Sequence, residues 1–158
     1  MTHSLSAVLR RSFSKPYPTA VRGAGALLWD DAGKQYLDFS SSAAVNFIGH
    51  GVREVVEAMA AQGRDLEFVH SSQFVTPVAE EFARELLDFA GDGFRGGAVF
   101  FTSGGSEAVE SALKLARQYQ IEVGQKQRFQ ILSRRQSYHG ATLGALAVSG
   151  NIKPFART

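Results

Sequence analysis

The run Thr102-Ser103-Gly104-Gly105-Ser106-Glu107 is the stretch of this sequence best suited to hold a small anion. An apolar run ends at Phe101, two glycines let the backbone turn closely, and a helical pattern begins. The first turn of a helix offers N–H groups without intrahelical partners and a partial positive charge. A phosphate dianion suits both, and the hydroxyls of Ser103 and Ser106 add donors. The same letters also describe a plain strand-to-helix turn, with glycine for geometry and serine for capping. Glu107 weighs toward that second reading, because a carboxylate in the first turn competes with a bound anion unless it points away.

A second candidate is Ser137-Tyr138-His139-Gly140, a few residues past the apolar run Phe129-Gln130-Ile131-Leu132. In open α/β sheets, ligands collect beyond the carboxyl ends of the strands, so the segments after Phe101 and after Leu132 are expected at one edge. An aromatic side chain there would cover the face of a flat ring. A Tyr and a His buried in a loop with satisfied hydrogen bonds explain the same letters.

Other chemistries find less support. A P-loop needs Gly-Lys followed by Ser or Thr, and the Gly104-Gly105 turn has no lysine. Gly91-Asp92-Gly93-Phe94-Arg95-Gly96 spells a dinucleotide fingerprint, but it precedes a strand instead of following one and reads as a loop. His3, His50, His70 and His139 lack metal-ligand spacing, and no Gly-x-Ser-x-Gly elbow appears. Cysteine is absent, which removes thiol nucleophiles and disulfides and suits a reducing compartment. With 17 basic against 15 acidic residues the net charge is only +2, which gives nucleic-acid binding little to work with. No apolar run approaches the roughly 18 residues of a membrane span. No acidic residue precedes Asp30, whereas Arg10, Arg11, Lys15 and Arg22 do. That N-terminus is read as the basic start of a mature cytoplasmic domain, with a mitochondrial transit peptide as the alternative.

The elements that must position these residues follow from periodicity. Ala26–Trp29 and Gln35–Phe39 are expected to form a hairpin about Asp30-Asp31-Ala32-Gly33, with Gly33 at positive φ. Val52, Val55, Val56 and Met59 mark a helix ending near Gly63. Thr76-Pro77 opens another, with Thr at the N-cap and Pro at the first helical position. Asp88–Gly97 reads as a loop. Ala98–Phe101, a helix through Val109, Ala112, Leu113, Ala116 and Tyr119 ending near Gly124, and Phe129–Leu132 read as a βαβ unit with a parallel strand pair. Ala145–Val148 is a further short element.

Taken together, these segments resemble the class III (ornithine/omega-amino acid) aminotransferases of pyridoxal-phosphate (PLP) fold type I, from about Arg11 to Gly150. The resemblance is carried by Gly25-Ala26-Leu27-Leu28-Trp29-Asp30 with Gly33–Phe39, by Ala44-Val45-Asn46 and Gly49-His50, by Phe100–Glu110 with Ala112–Arg117, and by Ser137–Gly140. It departs where Gly51-Val52-Arg53 stands in place of the family's frequent His-Pro. It implies an α/β fold, with an N-terminal hairpin segment over residues 1–50 and the first part of the PLP-binding large domain over 51–158. It assigns the cofactor phosphate to the N–H groups of Gly105 and Ser106, close approach to Gly104, and the pyridine face to Tyr138, with His139 and Gly140 flanking. Val45 and Phe47, and Ser72 and Phe74, correspond to substrate-pocket and subunit-contact loops. It implies transfer of an amino group from an amine or an omega- or α-amino acid to pyruvate or 2-oxoglutarate, by a homodimer without nucleic-acid or membrane partners. The family's Schiff-base lysine is expected beyond Thr158, so no catalytic residue is assigned within these residues. The chain is expected to be an inactive fragment, prone to aggregate at unpaired strand edges. A non-catalytic phosphate-ligand-binding module and a dimerisation module are the rival readings.

Overall fold

The computed structural model describes residues 7–10, 12 and 14–150. His3, Arg11 and Lys153 lie outside them. Two compact units divide the chain, Met1–Val75 and Thr76–Thr158.

The first unit is built on a three-stranded antiparallel sheet of order β1-β2-β3, with β1 at Ala20–Ala24, β2 at Leu27–Asp30 and β3 at Gln35–Leu37. The expected hairpin is β2-β3, in register Leu27 to Leu37, Leu28 to Tyr36 and Trp29 to Gln35. Asp30 closes it: its carboxylate accepts from the N–H groups of Ala32 (3.1 Å) and Lys34 (2.8 Å) and from the Tyr36 hydroxyl (2.7 Å). Gly33 takes φ 79°, the left-handed conformation expected of it. β1 escapes the sequence reading because Ala20-Val21-Arg22-Gly23-Ala24 does not alternate polar and apolar residues. It pairs with β2 through a register shift between Ala20 and Arg22, and the Arg22 guanidinium lies 3.7 Å from the Trp29 ring centroid.

After β3 comes a turn unlike ordinary helix. Ser41, Ser42, Ala43 and Ala44, denoted α1, all have positive φ, between 46° and 65°. Left-handed backbone is costly for residues with a Cβ, so something must hold it. Asp38 accepts from the Ser42 N–H (2.9 Å) and the Ser42 hydroxyl (2.7 Å). Helix α2, Arg53–Asp65, follows and runs two residues beyond Gly63.

The second unit begins with α3, Pro77–Ala90, with Pro77 in its first turn. Thr76 stands at the N-cap in extended conformation, but its side chain makes no cap hydrogen bond. The expected loop after Asp88 starts later, and Asp92–Phe94 form a 3-10 turn. Then come α4, Gly105–Glu122, and a short α5, Leu143–Ala147, packed on each other. No helix among the described residues is long and apolar enough to cross a membrane.

One expectation fails. Ala98–Phe101 and Phe129–Leu132 flank α4 as a βαβ unit requires, yet neither forms a strand, and the expected parallel pair is absent from the described residues. A strand exists through ladder hydrogen bonds to a neighbour, and periodicity cannot supply the neighbour. Phe101 finds an aromatic partner, stacking on Phe82 of α3 at 5.6 Å and 12°. Phe100 and Leu132 remain 78% and 95% exposed, and Ala145 is the one buried hydrophobic residue among those described. The apolar runs therefore have strand composition without a sheet to bury them.

Candidate functional site

The second unit brings the two sequence candidates together. Gly104 is the N-cap of α4, and Gly105, Ser106 and Glu107 form its first turn. The first intrahelical hydrogen bond runs from the Ala108 N–H to the Gly104 carbonyl, 3.0 Å. The N–H groups of Gly105, Ser106 and Glu107 lie ahead of that bond, so intrahelical geometry gives them no acceptor. The Thr102 hydroxyl donates to the Gly104 carbonyl at 3.1 Å and fixes the turn before the helix.

The other candidate meets this turn at Ser106. The Ala141 N–H donates to Ser106 Oγ at 3.0 Å, across 35 residues of chain. Gly140 has φ 135°, and a Cβ there would stand 2.5 Å from Ser106 Oγ and 2.8 Å from the Ala145 side chain. Only glycine satisfies both the backbone and the space. Ser106 thus uses one lone pair to receive the loop, while its own proton has no acceptor among the described residues. A hydroxyl held this way is set to donate to an incoming anion.

The remaining sequence-selected residues are placed as follows. Gly104 has φ −174°, ordinary extended backbone, and a Cβ there would approach only the mobile end of Glu107, Oε2 at 2.9 Å. Its glycine is therefore not demanded by backbone geometry. Glu107 folds back toward this N-cap, so its carboxylate stays near the helix mouth. Gly105 has open space about it. Tyr138 is 73% exposed, with its ring free of aromatic partners among the described residues. The His139 N–H donates to Ser149 Oγ at 3.0 Å, which ties its backbone to the chain beyond α5. Val45, Phe47, Ser72 and Phe74 all belong to the first unit. Val45, Phe47 and Phe74 are exposed, and the Ser72 hydroxyl bonds His70 Nδ1 at 2.7 Å.

Two carboxylates were not singled out in the sequence. Glu110 of α4 accepts from the Gly144 N–H (2.7 Å) and the Ala145 N–H (3.4 Å). The neighbouring Thr142 hydroxyl, and then these amides, hold its carboxyl below the usual carboxylate range against the opposing effect of burial. The signal was present: Glu110 follows Ser106 by four residues and so shares its helix face. Asp38 is the other. Besides Ser42 it accepts from the Ser40 hydroxyl (3.2 Å) and from His50 Nε2 (3.1 Å). A carboxylate only accepts, so the proton sits on Nε2 and Nδ1 is left to receive Asn46 Nδ2 at 3.0 Å. An Asp followed by Ser40-Ser41-Ser42 was the legible sign of a side-chain-directed turn.

Comparison with known proteins decides the family. Residues 10–158 match Aminotransferase class-III. The chain belongs to this family. The uncharacterized aminotransferase YodT of Bacillus subtilis is 42% identical over 146 residues, covering 92% of this chain and 32% of YodT. A solved (S)-enantioselective omega-transaminase from Thermomicrobium roseum superposes with TM-score 0.80 at 39% identity, over 85% of this chain and 30% of that one. An amine transaminase from an uncultivated Pseudomonas species, solved in its PLP-bound form, gives TM-score 0.81 at 31% identity, over 96% of this chain and 34% of that one. This class-III aminotransferase chain thus spans about a third of the length of the relatives it matches. It carries part of the α/β architecture of PLP fold type I, as expected from the sequence.

Proposed function

We propose that this chain supplies the phosphate cradle and the ring-covering segment of a PLP-dependent aminotransferase. The parent reaction moves an amino group from an amine or an omega- or α-amino acid to pyruvate or 2-oxoglutarate. The observation that carries the reading is the bond from the Ala141 N–H to Ser106 Oγ. It brings the Gly140-Ala141 backbone against a helix mouth with unpaired donors, which supports a single ligand engaging both segments.

The residues present fit a phosphorylated ring provided that the Glu107 side chain, which folds toward the N-cap here, turns away from the helix mouth. Gly105 and Ser106 would give main-chain N–H groups to the phosphate, and Ser106 its hydroxyl proton. The open space at Gly105 leaves room for phosphate oxygens. The exposed Tyr138 ring is available to cover a flat heterocycle. When bound, PLP supplies an electron sink for charge developing at the substrate α-carbon. This chain's part is to bind and orient. None of Lys15, Lys34, Lys114 and Lys126 stands in the sequence context of the family's anchoring lysine, and none is assigned that role. We therefore read the chain alone as a binder that does not turn over. A homodimer, with Val45, Phe47, Ser72 and Phe74 at its substrate or subunit contacts, and a cytoplasmic location complete the proposal. The exposure of three of these side chains and the cysteine-free composition are consistent with it.

The test is equilibrium binding. The chain should bind PLP more tightly than pyridoxal, which lacks the phosphate, and Ser106→Ala should narrow that difference. Equal affinity for the two would remove the cradle.

A further inference from the structure

We propose that Glu110 is a positioning residue for this site: its carboxylate clamps the first turn of α5 onto α4 and so holds the Tyr138–Gly140 segment beside the helix mouth. The inference rests on the cofactor reading above.

Ser106 and Glu110 stand one helical turn apart on one face of α4. Each receives backbone N–H groups from the same short stretch: Ala141 at Ser106, and Gly144 with Ala145 at Glu110. Two attachment points a turn apart fix both position and direction of a segment, where Ser106 alone would leave it free to swing. A Cβ on Gly144 would collide with the Glu110 carboxylate, so the carboxylate lies directly against the backbone. Ala145, fully buried, seals the contact. The same bonds serve electrostatics. An unengaged carboxylate one turn from a phosphate would oppose its binding, whereas this one's charge is directed onto the amides at the start of α5. The Glu110 carboxylate makes no hydrogen bond to the proposed phosphate donors or to Tyr138 among the described residues. It acts through the loop.

The phosphate donors belong to α4 itself and the ring-covering residue to the clamped loop, so the two functions separate. The experiment measures affinities of the whole chain for PLP and for inorganic phosphate, with amide exchange at Gly144 and Ala145. For Glu110→Ala we expect exchange at both amides to quicken and PLP affinity to fall by about tenfold each. Phosphate affinity should stay near wild type. Glu110→Gln, whose amide oxygen still accepts, should retain most of the preference for PLP. Glu110→Asp, one methylene shorter, should lose it, and this pair carries the test if the alanine variant does not fold. A PLP-to-phosphate affinity ratio unchanged in Glu110→Ala, or both affinities falling together, would overturn the positioning role. Unchanged exchange at Gly144 would overturn the clamp itself. Wild-type chain that binds the two ligands equally would instead defeat the cofactor reading, and the exchange data would still judge the clamp.

Discussion

The hairpin of the first unit and the cradle of the second are both organised by carboxylates, but over different distances. Asp30 and Asp38 draw their donors from within 12 residues. Ser106 and Glu110 draw theirs from 34 and 35 residues away. The hairpin closes its turn with its own hydrogen bonds and gains β1 as a third strand. The cradle is tied together by long-range polar contacts, while its helix mouth keeps unpaired donors and the apolar segments on either side of α4 stay unpaired. Polar contacts position a site, and only buried apolar surface pays the entropy of ordering it. The two units should therefore respond differently to perturbation.

The largest effect is expected at Gly140. Gly140→Val adds a β-branched side chain at φ 135° against Ser106 and Ala145. The cost of roughly 3 kcal/mol should lower the population of the closed cradle on the order of a hundredfold. Amide exchange at Ala141 would report it. Unchanged exchange there would show that the glycine does not hold the loop against Ser106.

Acid should sharpen the comparison next. The Ser42 N–H, then its hydroxyl, with lesser help from His50 and Ser40, hold the Asp38 carboxyl well below its ordinary value of 3.8 against the effect of burial. Its contribution is therefore complete above 3.8 and is lost as pH falls through the lower folded value. The Ser42 amide resonance should titrate with a midpoint below 3.8, and a midpoint at or above it would mean that Asp38 does not hold the left-handed turn.

Smaller changes are expected on the surface. Arg22→Leu removes the cation over Trp29 and should cost about 0.5–1 kcal/mol of hairpin stability, read from the denaturation midpoint by Trp29 emission. Leu132→Lys should change stability by less than about 0.5 kcal/mol, because Leu132 is already exposed, yet raise the soluble fraction. No gain in solubility would show that the unpaired apolar run is not what drives association.

What could be read without coordinates was local. Asp30 to Gly33 spell their turn because Asn- and Asp-type side chains bond the backbone a few residues on and glycine admits positive φ. Thr76-Pro77 marks a helix start because proline lacks only an N–H that the first turn would leave unpaired. Gly104-Gly105-Ser106 and Tyr138-His139-Gly140 point to the family only together with the hairpin and Gly49-His50 segments that precede them in order. The tertiary structure decided the rest. It chose Glu110 over Glu107 as the carboxylate that organises the cradle, because only Glu110 lies on the Ser106 face within reach of the α5 amides. It gave Gly140 its necessity through a neighbour 34 residues earlier in the chain. It also left Ala98–Phe101 and Phe129–Leu132 without a ladder. Their composition sets how well they would fit a sheet, whereas a strand forms only when another backbone stands alongside to complete its hydrogen bonds.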